Sequence, residues 1–135
     1  MSLDLSSLSK AHASLQRAIA RAQSSPDDEE LRDAVIQRFE YTYELSWKML
    51  KRQIERDAAT PESVDAMGFR ELIREGAVRG LINDPEAWFE YREQRNITSH
   101  TYDAHKAAQV YQAALRFSDA AEALLAELRR RNPRT

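Results

Sequence analysis

Cysteine is absent from all 135 positions, which excludes a disulfide framework and a thiolate metal site and suits a reducing compartment. Glycine and proline are scarce, at 3 and 4 residues, and Val, Ile and Thr are thinly spread, so the chain has little of what tight turns and pleated strands need. No apolar run approaches the ~20 residues that cross a bilayer. The start, Met1 to Leu5, lacks the basic-then-apolar order of an export signal, so a cytoplasmic protein is expected. Positive charge is not in excess either. The formal net charge of -2 excludes a broadly basic nucleic-acid binder, because such proteins draw in phosphates through an overall positive field. Any RNA contact has to come from a local patch. The one dense basic run, Arg129-Arg130-Arg131 with Arg134 beyond Pro133, reads as a solvated helix end that complements the macrodipole.

What is abundant is Ala, Leu, Glu and Arg, the strong helix formers, and this predicts an all-α protein. The length suits one domain spanning residues 1–135. Leu5, Leu8, His12, Leu15, Ile19 and Ala22 recur at three- and four-residue steps, which predicts a first helix with His12 packed into its apolar face. The cluster Ser24-Ser25-Pro26-Asp27-Asp28 ends it and caps a second helix from about Asp28 to Ala58.

That second helix carries two apolar stripes. Leu31, Val35, Phe39, Tyr43, Trp47, Leu50 and Ile54 form one, suited to the core. Tyr41, Leu45 and Met49 lie nearly opposite and need another helix or another subunit to cover them. Glu44 and Lys48 stand in the favourable i, i+4 order for an exposed ion pair. After a connection from Thr60, a shorter helix is expected near Met67 to Arg79, carrying Phe69, Leu72, Ile73 and Val78 and stopped by Gly80. Asn83-Asp84-Pro85-Glu86 then opens a helix with Trp88, Phe89 and Tyr91. A last helix, about Asp103 to Arg131, has a seam of Ala107, Val110, Ala114, Phe117, Ala121, Leu124 and Leu128, with alanines that allow close approach. The expected architecture is a four or five helix up-and-down bundle, dimeric, with mostly antiparallel neighbours.

Between the last two helices the pattern breaks. Arg95-Asn96-Ile97-Thr98-Ser99-His100-Thr101-Tyr102 sets a guanidinium, an imidazole and a phenol in a stretch whose Asn, Thr and Ser side chains compete with helical hydrogen bonding. Arginine offers a permanent charge with forked donors for phosphate, and histidine moves protons near neutral pH, so the pair suits phosphodiester chemistry. In unbroken helix a spacing of five would separate the two side chains by about 140°. The helix is therefore expected to end between them. Concerted acid and base roles favour two proton carriers, which a twofold dimer pairing His100 with its symmetry mate supplies. Beside this stands a plainer reading, a surface arginine and a loop histidine. His105 is expected on the solvent side of the last helix, and His100, Asp103 and His105 match no established metal-ligand pattern.

The spacing Arg95, His100, Tyr102 resembles the R-x-x-x-x-H-x-Y signature of the HEPN superfamily, with Asn96 as the polar residue often found after the arginine. The run Arg32 to Glu40, continuing through Tyr43-Glu44-Leu45-Ser46-Trp47-Lys48, resembles the second helix of the branch called nucleotidyltransferase substrate-binding proteins or HepT-like toxins. The resemblance implies a helical homodimer without cofactor or metal, working beside a minimal nucleotidyltransferase. It implies a metal-independent endoribonuclease with Arg95 and His100 catalytic at a dimer-interface cleft, Asn96 auxiliary, and Tyr102 modified by AMP transfer from the partner, which acts as antitoxin. The alternative it leaves open is a non-catalytic substrate-binding subunit of that nucleotidyltransferase. A purely structural helical adaptor would leave the motif without a reason.

Overall fold

A computed structural model describes residues 2–133, so Met1 and Thr135 fall outside it, as does Arg134 of the basic run. The described residues form α1 (Ser6–Ser24), α2 (Glu29–Asp57), α3 (Pro61–Asp65), α4 (Phe69–Val78), α5 (Pro85–Ile97), a 3-10 turn (Thr98–His100) and α6 (Ala104–Arg131), with no strand among them. Aspartates cap three of the helices. Asp28 accepts from the amides of Glu30 and Leu31, Asp84 from that of Ala87, and Asp103 from those of His105 and Lys106. Each satisfies helix-terminal donors that have no intrahelical partner.

Four helices make the bundle. Antiparallel packing of α1 against α6 follows from the bond between Leu3 and Asn132 at one end and between His12 and Ser118 further along. In the same way Glu40 meets Thr98 and Glu44 meets Arg95, so α2 and α5 are antiparallel. Parallel α2 and α6 cross the middle, with Phe39 against Phe117 and Gln53 bonded to Asn132. This is an up-and-down arrangement, and every residue of the predicted α6 seam is at most 1% exposed.

Phe117 sits at the centre of the core, its ring 5.3 Å from Phe39 and Tyr91, 5.6 Å from Trp88 and 5.8 Å from Tyr43. The crossings with Phe39, Trp88 and Tyr91 are edge-to-face, which suits the ring quadrupoles. His12 is buried, its Nε2–H donating to the Ser118 carbonyl at 3.0 Å, and His105 is exposed, both as expected.

The structure adds local detail to these expectations and corrects one of them, the plain connection after α2. The connection after α2 contains the short helix α3, begun by Pro61 at its first position, where a fixed φ costs nothing. The next helix begins at Phe69 after the extended Gly68, and Val78 lies on its outer face, 81% exposed. That helix ends with the Gly80 amide bonded to Ala77 O and the Leu81 amide to Gly76 O, a Schellman closure that requires Gly80's positive φ of 76°. On the second stripe of α2, Met49 is buried, Leu45 half-buried, and Tyr41, 38% exposed, bonds Ser14 of α1 at 2.7 Å, so another helix meets part of it, one of the two covers expected.

Candidate functional site

Helix α5 carries Arg95 on its last turn and ends at Ile97, so the polar stretch does break the helix between Arg95 and His100. The break has a physical cause. Thr98 Oγ1 has two acceptors for its proton, the Arg95 carbonyl at 2.8 Å and Glu40 Oε2 at 2.7 Å, and this back-bonding fastens the turn to α2. Thr101 Oγ1 donates to the Thr98 carbonyl at 3.1 Å, and the Asp103 amide to the His100 carbonyl at 3.2 Å, closing the path into α6.

The proposed site residues are distributed over two adjoining surfaces. Arg95 is about a third exposed, and its Nε donates to Glu44 Oε1 at 2.8 Å while an Nη lies 4.0 Å from Glu40. Its terminal nitrogens thus remain able to meet an anion. His100 and Tyr102 are exposed on the turn, their rings 6.2 Å apart edge-to-face, with Tyr102 87% exposed. Within one chain no hydrogen bond joins Arg95 to His100 among the described residues. The carboxylate of Asp103 is engaged in capping α6.

Glu44 does not make the expected surface pair with Lys48. It accepts from Arg95 and, through Oε2, from Trp47 Nε1 at 3.2 Å. A fixed guanidinium on a facing helix offers it a charge-assisted bond, whereas the i, i+4 lysine would hold it in solvent.

Beside Arg95 lies a cavity of about 310 Å³ between α2, α4 and α5. The α2 face contributes Tyr43, Glu44, Trp47 and Lys51, and α5 contributes Arg92, Arg95 and Asn96. Met67, Phe69 and Leu72 close the third side. Arg92 is laid over the Phe69 ring, 4.2 Å from its centroid, and has no carboxylate partner among the described residues. Lys51 is paired with Asp65 at 3.2 Å.

Tyr43 is 1% exposed, and its hydroxyl has no hydrogen-bond partner among the described residues. Burial pushes its pKa well above the ordinary 10.0, with Arg92 and Arg95 pulling the other way and Glu44 adding to the rise. Those three charges line the cavity together with Tyr43 itself, whose hydroxyl is buried beneath the surface. Sequence reasoning assigned Tyr43 and Trp47 to the core stripe and gave Lys51 and Arg92 no part. A signal existed: Arg92, Arg95 and Asn96 share one helix face, as do Tyr43, Trp47 and Lys51.

Comparison with known proteins gives one family and several relatives. Residues 3–130 match the family model described as nucleotidyltransferase substrate binding protein like. Over 96% of its length the chain is 41% identical to a Haemophilus influenzae protein named "Probable ribonuclease HepT", covering 94% of that protein. A solved Haemophilus influenzae structure, described as showing the fold of a substrate binding domain of a nucleotidyltransferase, superposes with a TM-score of 0.88 at 39% identity, over 93% of this chain and 99% of that one. A crystal structure from Thermus thermophilus superposes with a TM-score of 0.75 at 28% identity, over 90% of this chain and 98% of the other. The resemblance read from Arg95, His100 and Tyr102 and from the second helix agrees with this family.

Proposed function

The chain belongs to the nucleotidyltransferase substrate binding protein like family, and from that premise we propose that it is an endoribonuclease of the HepT type. In this reading it acts in the cytoplasm as one domain and as a homodimer, the toxin partner of a minimal nucleotidyltransferase. The observation that carries the reading is the placement of Arg95 and His100. The arginine is braced by Glu44 on the last turn of α5, and the histidine is exposed at the end of the 3-10 turn that follows.

Cleavage needs no metal in this scheme. One His100 takes the proton of a ribose 2′-hydroxyl, and the freed oxygen attacks the adjacent phosphorus. The bond to the 5′-oxygen breaks as His100 of the partner subunit gives that oxygen a proton, leaving a 2′,3′-cyclic phosphate and a 5′-hydroxyl. Arg95 stabilises the charge that builds on the phosphorane oxygens, and Asn96 assists from the same face. The two histidines meet only in a dimer, since one chain offers a single imidazole on the turn.

Control falls to Tyr102. Its phenolic oxygen attacks the α-phosphorus of ATP held by the partner enzyme, pyrophosphate leaves, and the phenol proton passes to solvent. An exposure of 87% makes the ring accessible to another enzyme. A phosphate on Tyr102 would stand beside His100, occupying the place of the RNA phosphate and repelling it.

The test is RNA cleavage by the chain alone, lost in Arg95→Ala and in His100→Ala; cleavage that survives both substitutions sinks the reading. A second reading, a non-catalytic subunit that helps a nucleotidyltransferase hold its substrate, is supported by the family's description and by that of the solved Haemophilus relative. It predicts a stable complex with the nucleotidyltransferase and no RNA cleavage.

A further inference from the structure

We propose that the cavity beside Arg95 is a nucleotide pocket, which receives the base and one phosphate of the RNA residue next to the scissile bond; this rests on the ribonuclease reading above. Two flat groups line it: the Trp47 indole and the Arg92 guanidinium held over Phe69. Single-stranded RNA is commonly gripped by stacking of its bases on aromatic rings and on guanidinium planes. The indole is not loosely placed, because its Nε1 donates to the same Glu44 carboxylate that orients Arg95. One side chain therefore fixes both a stacking surface and a phosphate-binding cation.

The polar groups match the same ligand. Arg92 has no carboxylate partner among the described residues, and it stands one turn before Arg95 on α5. Two guanidiniums at that spacing suit a phosphate oxygen pair. Tyr43 lines the cavity, and its hydroxyl is buried and unpaired among the described residues. An unsatisfied buried hydroxyl is costly, and a base edge or ribose hydroxyl that displaces the cavity lining enough to reach it would satisfy it. The volume of about 310 Å³ lies at the small end of ligand pockets, which fits one nucleotide and not a longer piece of RNA.

This gives the acidic chain a local means of holding RNA. Arg95 reaches the cavity and the reacting phosphate alike, so a base seated in the pocket would set the register of the strand against His100. The pocket would then determine which residue flanks the cut.

The test uses the full chain and the four ribonucleoside monophosphates, with the matching nucleosides as controls, by titration calorimetry and tryptophan fluorescence. Trp88 lies in the core, so a fluorescence change on binding reports Trp47. We expect mononucleotides to bind with one site per chain and nucleosides to bind several-fold more weakly. Arg92→Gln should remove most of that difference, and Tyr43→Phe and Phe69→Leu should each weaken binding about tenfold, the scale of one lost hydrogen bond or stacking contact. Val78→Ser, on the outer face of α4, should bind as the unaltered chain does.

Mononucleotide affinity unchanged in Tyr43→Phe and Phe69→Leu would overturn the assignment. So would absence of mononucleotide binding at millimolar concentration. A cavity filled by a second copy of the chain would give that absence together with Trp47 shielding from quencher that disappears on dilution. RNA cleavage by the same preparations separates the two readings. Cleavage without nucleotide binding rejects the pocket alone, and pocket binding without cleavage rejects the ribonuclease alone.

Discussion

Arg95 Nε donates to Glu44 Oε1 at 2.8 Å, joining the last turn of α5 to the middle of α2 across 51 positions of sequence. The same carboxylate holds Trp47. In the proposed ribonuclease Glu44 would be a positioning residue, acting on RNA through these neighbours. Because the pair is about one-third exposed on both sides, its own worth in stability is small, under about 1 kcal/mol. Glu44→Ala should leave the melting temperature nearly unchanged while lowering the single-turnover cleavage rate about tenfold. Glu44→Gln, whose single amide oxygen keeps an acceptor for one of the two donors, should recover part of that loss. A purely structural role would show no such recovery.

Removing either proposed catalytic group should cost far more. Arg95→Ala and His100→Ala are expected to reduce RNA cleavage at least about 100-fold, the scale of lost proton transfer or lost charge stabilisation. His100 is exposed, so its substitution should not change the urea midpoint. Mixed dimers of His100→Ala with unaltered chain should fall well below half the normal rate if each cut uses both imidazoles. Full half-activity would mean that each chain works alone.

Tyr102 offers a test that does not depend on cleavage. Incubation with its nucleotidyltransferase, ATP and magnesium should add AMP to the intact mass, and Tyr102→Phe should abolish the addition. The side chain makes little packing contact, so this substitution should shift stability by no more than about 0.5 kcal/mol. An unmodified chain would count against the toxin and antitoxin pairing.

In the core, Phe117→Ala should destabilise by about 3 to 5 kcal/mol, because four aromatic rings close around the vacated space and cannot all move inward. Urea denaturation measures the loss. Phe117→Leu, which keeps most of the volume, should cost much less.

Acid behaviour should single out Glu127. Hydrogen bonds from Arg130 and Arg131 hold its carboxyl down to about 2, from an ordinary 4.5. A folded-state value below the unfolded one means that its contribution is complete above the ordinary value and fades as pH drops through about 2. Glu127→Gln should therefore melt lower than the unaltered chain at neutral pH, with the two converging as the pH approaches 2. Curves that stay parallel throughout would contradict this.

The longer helices and the α6 seam were legible in the sequence because each is governed by neighbours in the chain. Asp28, Asp84 and Asp103 cap helices whose starts lie within three residues of them, and the apolar period that marks α6 is a property of one helix. The break between Arg95 and His100 was legible for the same reason, since Thr98 bonds back to the carbonyl three residues earlier. Tertiary structure alone decided the rest. Glu44 turned from Lys48 to Arg95, Val78 faced outward, and Tyr43, Trp47, Phe69 and Arg92 came together around one cavity. Those contacts join α2, α4 and α5, and no period along a single helix records which face of another will be brought against it.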